Sequence, residues 1–256
     1  MARFRIDLEY EGTRYSGWQV QPNARTVQGE LFGAVERALN VRQYDVQGSG
    51  RTDAGVHALC QTAHLEARTS LAPPLLRQRL NDALPADINV LGVDRAPQSF
   101  HARHDAVART YLYQVSRRRT AFGKRFVWWV KDPLQTRPMQ AAARFLVGLH
   151  DFRSFTAASE AQTRVKLEEA RIDEDGDLIL IRLTASHFLW KMVRQVVGVL
   201  VEVGRGRLPP QQIQTWLGTF SPEPAKLTAP PSGLFLERAW YPGEKRASDS
   251  RPLLRV

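Results

Sequence analysis

The stretch Gly48-Ser49-Gly50-Arg51-Thr52-Asp53-Ala54-Gly55-Val56-His57-Ala58 constrains this chain more than any other. Its closely spaced glycines rule out a helix, and Gly50 and Gly55 would weaken a strand interior. It reads as a tight loop between two strands, with Tyr44 to Gln47 leading in and Val56 to Leu65 leading out. Inside the loop one carboxylate, Asp53, follows one guanidinium, Arg51. Glycines let the backbone turn sharply and leave room for a ligand. A guanidinium matches a carboxylate or a phosphate in a bidentate fork, so Arg51 can hold Asp53 ionised or bind a phosphate. An ionised Asp53 suits a nucleophile or an electrostatic stabiliser better than a general acid. The same residues also fit an ordinary turn with a solvated salt bridge, and the rest of the chain has to decide.

Upstream, Phe4, Ile6, Leu8 and Tyr10 alternate with charged residues, which predicts a half-buried strand and not a signal peptide. The loop after it mixes Arg14, Tyr15 and Trp18 with Gly12 and Gly17. Aromatics beside arginine suit contact with nucleic acid, and Trp18 fits a core plug equally well. Thr26 is placed to cap a helix to Leu39, with Val27, Leu31, Val35 and Leu39 on one stripe. Pro73-Pro74 opens a second helix that ends before Pro85, and Ile88, Val90 and Val93 mark a further strand. Strand, helix, strand, strand, helix, strand is the split βαβ, or ferredoxin-like, order.

Residues 96–105 read as a connector, after which the order recurs without sequence identity. Val107 to Ser116 is a strand, Phe126 to Val130 a short extra one, and Met139 to Leu149 a helix. Val165 to Ile172 and Leu178 to Ala185 pair across a turn at Asp173 to Asp177. Trp190 to Val203 is a helix ended by Gly204, Pro209-Pro210 opens another to about Leu217, and Leu234 to Tyr241 is the last strand. The expected fold class is α+β: two ferredoxin-like halves with mainly antiparallel sheets and a cleft between them. The expected boundaries are 1–100, 106–242 and a tail over 243–256, frayed from Asp249 on.

The net charge is +10 with a pI of 10.2, and all but six of the 36 basic residues are arginine. Such a balance favours a polyanionic partner, nucleic acid above all, and Arg117-Arg118-Arg119 is a candidate phosphate contact. Biased composition is a bland alternative explanation of the arginine excess. No basic amphipathic helix stands out, and the apolar run Val196 to Val203 is interrupted by Gly198 and Glu202, so no membrane partner is expected. Cys60 is the single cysteine, so no disulfide forms within the chain, which fits a reducing cytosol. His101-x-x-His104-Asp105 lacks the third and fourth ligands of a closed metal site, and no metal is expected. Arg194, set among valines, is costly to bury without an anion, so a carboxylate partner is expected.

Taken together, Tyr10-Glu11-Gly12-Thr13, Tyr15-Ser16-Gly17-Trp18-Gln19, Gln21-Pro22, the Gly48–His57 block, Phe100-His101-Ala102-Arg103, Arg109-Thr110-Tyr111 and Met192-Val193-Arg194 resemble the tRNA pseudouridine synthase A family. The likeness runs in order from residue 4 to about 242; the glycine block is highly specific, and the others gain force together. His104-Asp105 departs from the family, which usually has an aromatic residue and a serine there. The resemblance implies a cofactor-free, metal-free isomerase. Its substrate would be uridine at positions 38, 39 and 40 in the anticodon stem-loop of tRNA, gripped by a homodimer. It implies that Asp53 is the nucleophile, that Tyr111 stacks on the target base and that Leu234 packs against it. It also implies that Arg194 pairs with Asp53 and that Arg51 helps to extrude the base. Arg14 and Arg109 are further candidates for RNA contact. Two rivals remain: a non-catalytic RNA-binding module, which would not need Asp53, and a carboxylate-based nucleoside hydrolase, which needs a second acid.

Overall fold

The computed structural model describes residues 1–157, 162–246 and 251–253. The chain divides into two compact units. Met1–Val107 with Phe235–Lys245 forms the first, and Ala108–Leu234 with the described residues from Arg246 on forms the second.

In the first unit β1 (Ala2–Tyr10), α1 (Val27–Leu39), β2 (Tyr44–Gly48), β3 (His57–Ala67), α2 (Pro73–Ala83) and β4 (Ile88–Arg95) follow one another. The strands lie in the order β4-β1-β3-β2, every pair antiparallel, which is the ferredoxin-like arrangement. Alternation works as expected: Phe4, Ile6 and Leu8 are wholly buried. Thr26 Oγ1 accepts from Gly29 N at 3.2 Å and caps α1, whose Val27, Leu31, Ala34 and Val35 pack inward. Burying each such Val or Leu side chain contributes about 1.5–3 kcal/mol. Pro73 and Pro74 fill the first turn of α2, where no amide is needed, and Leu76 and Leu80 face the core.

The second unit holds β5 (Ala108–Ser116), β6 (Trp128–Trp129), α3 (Thr136–Arg144), β7 (Gly148–Asp151), β8 (Arg164–Asp175), β9 (Leu178–Ala185), α4 (Met192–Gly204), α5 (Gln212–Gly218) and α6 (Glu223–Lys226). Its sheet runs β5-β9-β8-β7, antiparallel throughout, with β6 parallel on β5. The expected helix over 139–149 is cut short. It ends at Arg144, and Gly148, with φ +123, opens an edge strand on β8. That backbone is closed to a helix, so Leu149 is exposed on β7 and leaves the apolar stripe. The β8–β9 turn is also tighter than expected. Asp173 and Glu174 stay in β8, held by Arg171 Nε at 2.9 Å and Arg117 Nη1 at 2.8 Å.

The last strand, β10 (Leu234–Trp240), departs from the expected boundaries. Residues 235–245 group with the first unit and not with a domain over 106–242. Phe235 pairs in parallel with His57, and Leu236 with Ala58. The cause is length: β2 reaches only Ala63 to Ala67 of the longer β3. The remaining edge needs partners for its backbone groups, and β10 supplies them. The His57 and Phe235 rings stack 4.9 Å apart. The expected tail from 243 is anchored at its start, because Glu244 accepts from Tyr241 N at 3.1 Å and from Arg5 Nη1 at 2.7 Å. Asp249, the expected start of fraying, lies outside the described residues.

Candidate active site

In the first unit Asp53 sits half-buried in the loop between β2 and β3. The loop is fixed at both ends. Ser49 N donates to Thr62 O at 2.7 Å, and Ser49 Oγ to Gln61 Oε1 at 2.6 Å, while Gln61 Nε2 reaches Gly50 O at 2.9 Å. Past the carboxylate, Val56 N donates to Asp53 O at 3.1 Å.

A second loop, residues 11–22, closes over the first. Trp18 N donates to Thr52 O at 3.1 Å, Gly55 N to Tyr15 O at 3.2 Å, and Gly12 N to His57 Nδ1 at 2.9 Å. Two glycines permit the approach. A Cβ on Gly12 would lie 2.0 Å from Val56 O, and one on Gly17, at φ +94, 2.5 Å from Thr52 O. These contacts are the part of the site that sequence reasoning missed. The signal was present as glycines in a loop rich in large residues, but their partners lie some forty residues away.

Trp18 and Tyr15 are buried at 1% and 3% exposure, so neither is an RNA-stacking surface; both are core plugs. Tyr15 Oη donates to Asp87 Oδ1 at 2.5 Å, and burial, with that carboxylate, pushes its hydroxyl pKa up. Arg14 and Arg51 are exposed on the two loops, where they can meet a polyanion. His57 is buried, and its Nδ1 accepts the Gly12 amide, so the ring proton is assigned to Nε2 and the ring is occupied in structure.

In the second unit Arg109 and Tyr111 are two residues apart on β5 and so share a face of the strand. Both are half-buried. Arg109 Nη1 donates to Ser186 O at 3.0 Å, and the Tyr111 ring meets Phe188 edge-on at 5.0 Å. Arg194 lies in the first turn of α4, half-buried, with Nε donating to Ala229 O at 2.7 Å. Ala229 N returns a bond to Arg194 O at 3.0 Å. The helix can come this close because of Gly198, whose Cβ would fall 1.6 Å from Leu227 O. Part of the polar demand of this guanidinium is therefore met by a carbonyl, a partner that the sequence did not announce. Leu234 is buried at the start of β10.

The His101 and His104 rings lie 4.1 Å apart and tilted, but His101 Nδ1 accepts from Arg103 N at 3.1 Å and His104 N at 3.3 Å, which makes the motif a capped turn. Among the described residues no cluster of three or more His, Cys, Asp or Glu is arranged to hold a metal ion. Among them, too, no helix is long and apolar enough to cross a membrane.

The α+β architecture and the carboxylate loop define an enzyme class once the comparisons are added. A family model described as tRNA pseudouridine synthase matches residues 8–105 and 142–242. It takes in Asp53 and Arg194 and leaves β5, with Arg109 and Tyr111, between its two segments. The chain is similar to a tRNA pseudouridine synthase A from Exiguobacterium sibiricum, 39% identical over 96% of this chain and 99% of the other. A relative of the same name from Moorella thermoacetica is 40% identical over 94% of this chain and 100% of its own. One from Rhodospirillum rubrum is 40% identical over 96% and 90%. The class is thus that of isomerases acting on tRNA uridine. The chain belongs to the tRNA pseudouridine synthase family.

Proposed function

We propose that this chain converts uridine to pseudouridine at positions 38, 39 and 40 of the tRNA anticodon stem-loop, with Asp53 as nucleophile. The observation that carries the reading is a single carboxylate held half-buried in a glycine loop that a second loop clamps through its backbone. Isomerisation breaks the bond from N1 to C1′ and makes one from C5 to C1′; N1 gains a proton and C5 loses one. It consumes no oxidant, phosphate donor or other co-reactant. A carboxylate attacking C1′ of the sugar or C6 of the base can start it. The target nucleotide must first leave the stack, at a cost of a few kcal/mol, recovered from stacking and charge contacts. Tyr111 is the residue proposed to stack on the base, with Leu234 beside it. Arg194 is the proposed counter-ion of Asp53, and Arg51 the residue that helps to extrude the base. Arg14 and Arg109 add phosphate contacts. A homodimer and a cytoplasmic site follow from the family resemblance. Burial pushes the Cys60 thiol up to about 11, which suits a cysteine that stays reduced.

The test is tritium release from tRNA labelled at uridine C5, followed by recovery of the base. Release with the base still attached supports isomerisation. Free uracil would mean a hydrolase, and tight binding without release a binding module.

A further inference from the structure

We infer that Thr52 is a positioning residue for Asp53, acting through a buried hydroxyl pair with Tyr10; this rests on the reading of Asp53 as nucleophile. Thr52 Oγ1 and Tyr10 Oη lie 2.8 Å apart. Both residues are buried, Thr52 at 6% exposure and Tyr10 at 4%. Tyr10 is the last residue of β1, so the bond ties the reactive loop to the sheet. Its ring also lies 6.1 Å from that of Trp18, which donates its own amide to Thr52 O. Thr52 is therefore held at two points, backbone and side chain. Consecutive Cα atoms are only ~3.8 Å apart, so a small rotation at Thr52 swings the Asp53 carboxylate directly.

The loop does not depend on this bond to stay folded. The Trp18–Thr52, Val56–Asp53 and Gly55–Tyr15 bonds are all made by backbone atoms and do not use the hydroxyl. What it adds is direction. Misplacing a reacting group by about 1 Å costs on the order of a hundredfold in rate. The effect should fall on the bound-state rate and not on tRNA affinity, because the pair is buried below the loop.

Thr52→Val, Thr52→Ser and Tyr10→Phe would be compared with wild type by single-turnover tritium release, tRNA binding and thermal melting. We expect Thr52→Val and Tyr10→Phe each to slow the bound-state rate about ten- to a hundredfold with the tRNA Kd unchanged. Thr52→Ser should recover most of the rate. The double variant should be no slower than the slower single, since one bond is lost once. If Thr52→Val fails to fold, Tyr10→Phe carries the same test. A wild-type rate in both, a serine variant as slow as valine, or losses that follow melting temperature would overturn the proposal. Asp53→Asn, run alongside, separates the two claims. If it turns over within about tenfold of wild type, the nucleophile reading falls. If it is inactive while Thr52→Val is normal, only the positioning role falls.

Discussion

The two units carry their functional candidates on different kinds of support. In the first, Asp53 and Arg51 stand on a loop that no regular element contains, held by backbone contacts from residues 11–22. In the second, Tyr111 and Arg109 stand on strand β5, and Arg194 on an almost wholly buried helix. A loop can take the backbone shape that a reaction needs, but it must be clamped from outside. A strand or helix is rigid already, yet its side chains can only face where the element directs them. The first arrangement suits the proposed nucleophile, and the second suits the residues proposed to wall and hold a base.

The sharpest way to break this contrast is Asp53→Asn. It should fold and bind tRNA as wild type does and lose on the order of a thousandfold or more in tritium release, the scale seen when a nucleophile is removed. Tyr111→Phe, by contrast, keeps the ring and should retain most activity. Equal losses of activity in the two variants would erase the distinction between chemistry and wall.

That distinction also decides what the sequence could tell. The Asp53 loop was legible because its composition, glycines around one acid and one base, fits no helix or strand. The ferredoxin-like order was legible because β1 carries clean alternation, α1 an apolar stripe and a threonine cap, and α2 a proline start. Tyr111 and Arg109 look like ordinary strand residues, and only the family resemblance singled them out. Three features were hidden. The Gly12 and Gly17 contacts depend on long-range approach. α3 ends at Arg144, and Gly148 opens a strand, inside a run that stays apolar in pattern. The pairing of β10 with β3 depends on how much edge β2 leaves open.

Arg194 should show a smaller effect than Asp53. Arg194→Ala should reduce activity about a hundredfold, as expected for a group that positions or stabilises without forming a bond. Arg194→Lys keeps the charge and loses the planar fork, so it should fall between alanine and wild type. Its Nε bond to Ala229 O gives a second readout, because both variants lose that guanidinium contact. A lysine variant no better than alanine would mean that geometry matters there and charge does not.

The glycines sharpen the contrast further. Gly12→Ala and Gly198→Ala both force a methyl into a carbonyl, and overpacking of this kind costs about 1–3 kcal/mol. Both variants should melt lower. Gly12→Ala pushes on Val56 O in the Asp53 loop and should also slow catalysis beyond what the lower melting temperature explains. Gly198→Ala shifts α4 against Leu227 and should act on stability first. Single-turnover rates measured well below the melting temperature separate the two, and an equal rate loss in both would contradict the loop-clamp account.

The smallest expected effect is one of pH, and it belongs to the first unit. His64 on β3 is 1% exposed; its Nδ1 accepts from Ala102 N at 3.1 Å, and its Nε2 lies 3.2 Å from Asp45 Oδ2. His101 packs its ring against it at 4.7 Å. Burial lowers the pKa of both below the ordinary 6.5. For His101 the neighbouring His64 and His104 lower it further, and Arg3 acts the same way on both rings. Asp45 and Glu66 oppose the shift at His64, and Asp105 opposes it at His101. With folded values below the unfolded one, the unfolded chain binds more protons, so stability rises with pH. The contribution is complete above about 6.5 and is lost progressively as pH falls from there through the lower folded values. Melting temperature should therefore drop modestly between about pH 7 and pH 5. His101→Gln, which removes one titrating ring at a half-buried site, should flatten the slope. Hydrogen exchange at pH 5 should show β3 losing protection before β8 and β9, since the two rings border the first sheet. Uniform loss of protection across both sheets would assign the acid sensitivity to groups other than these histidines.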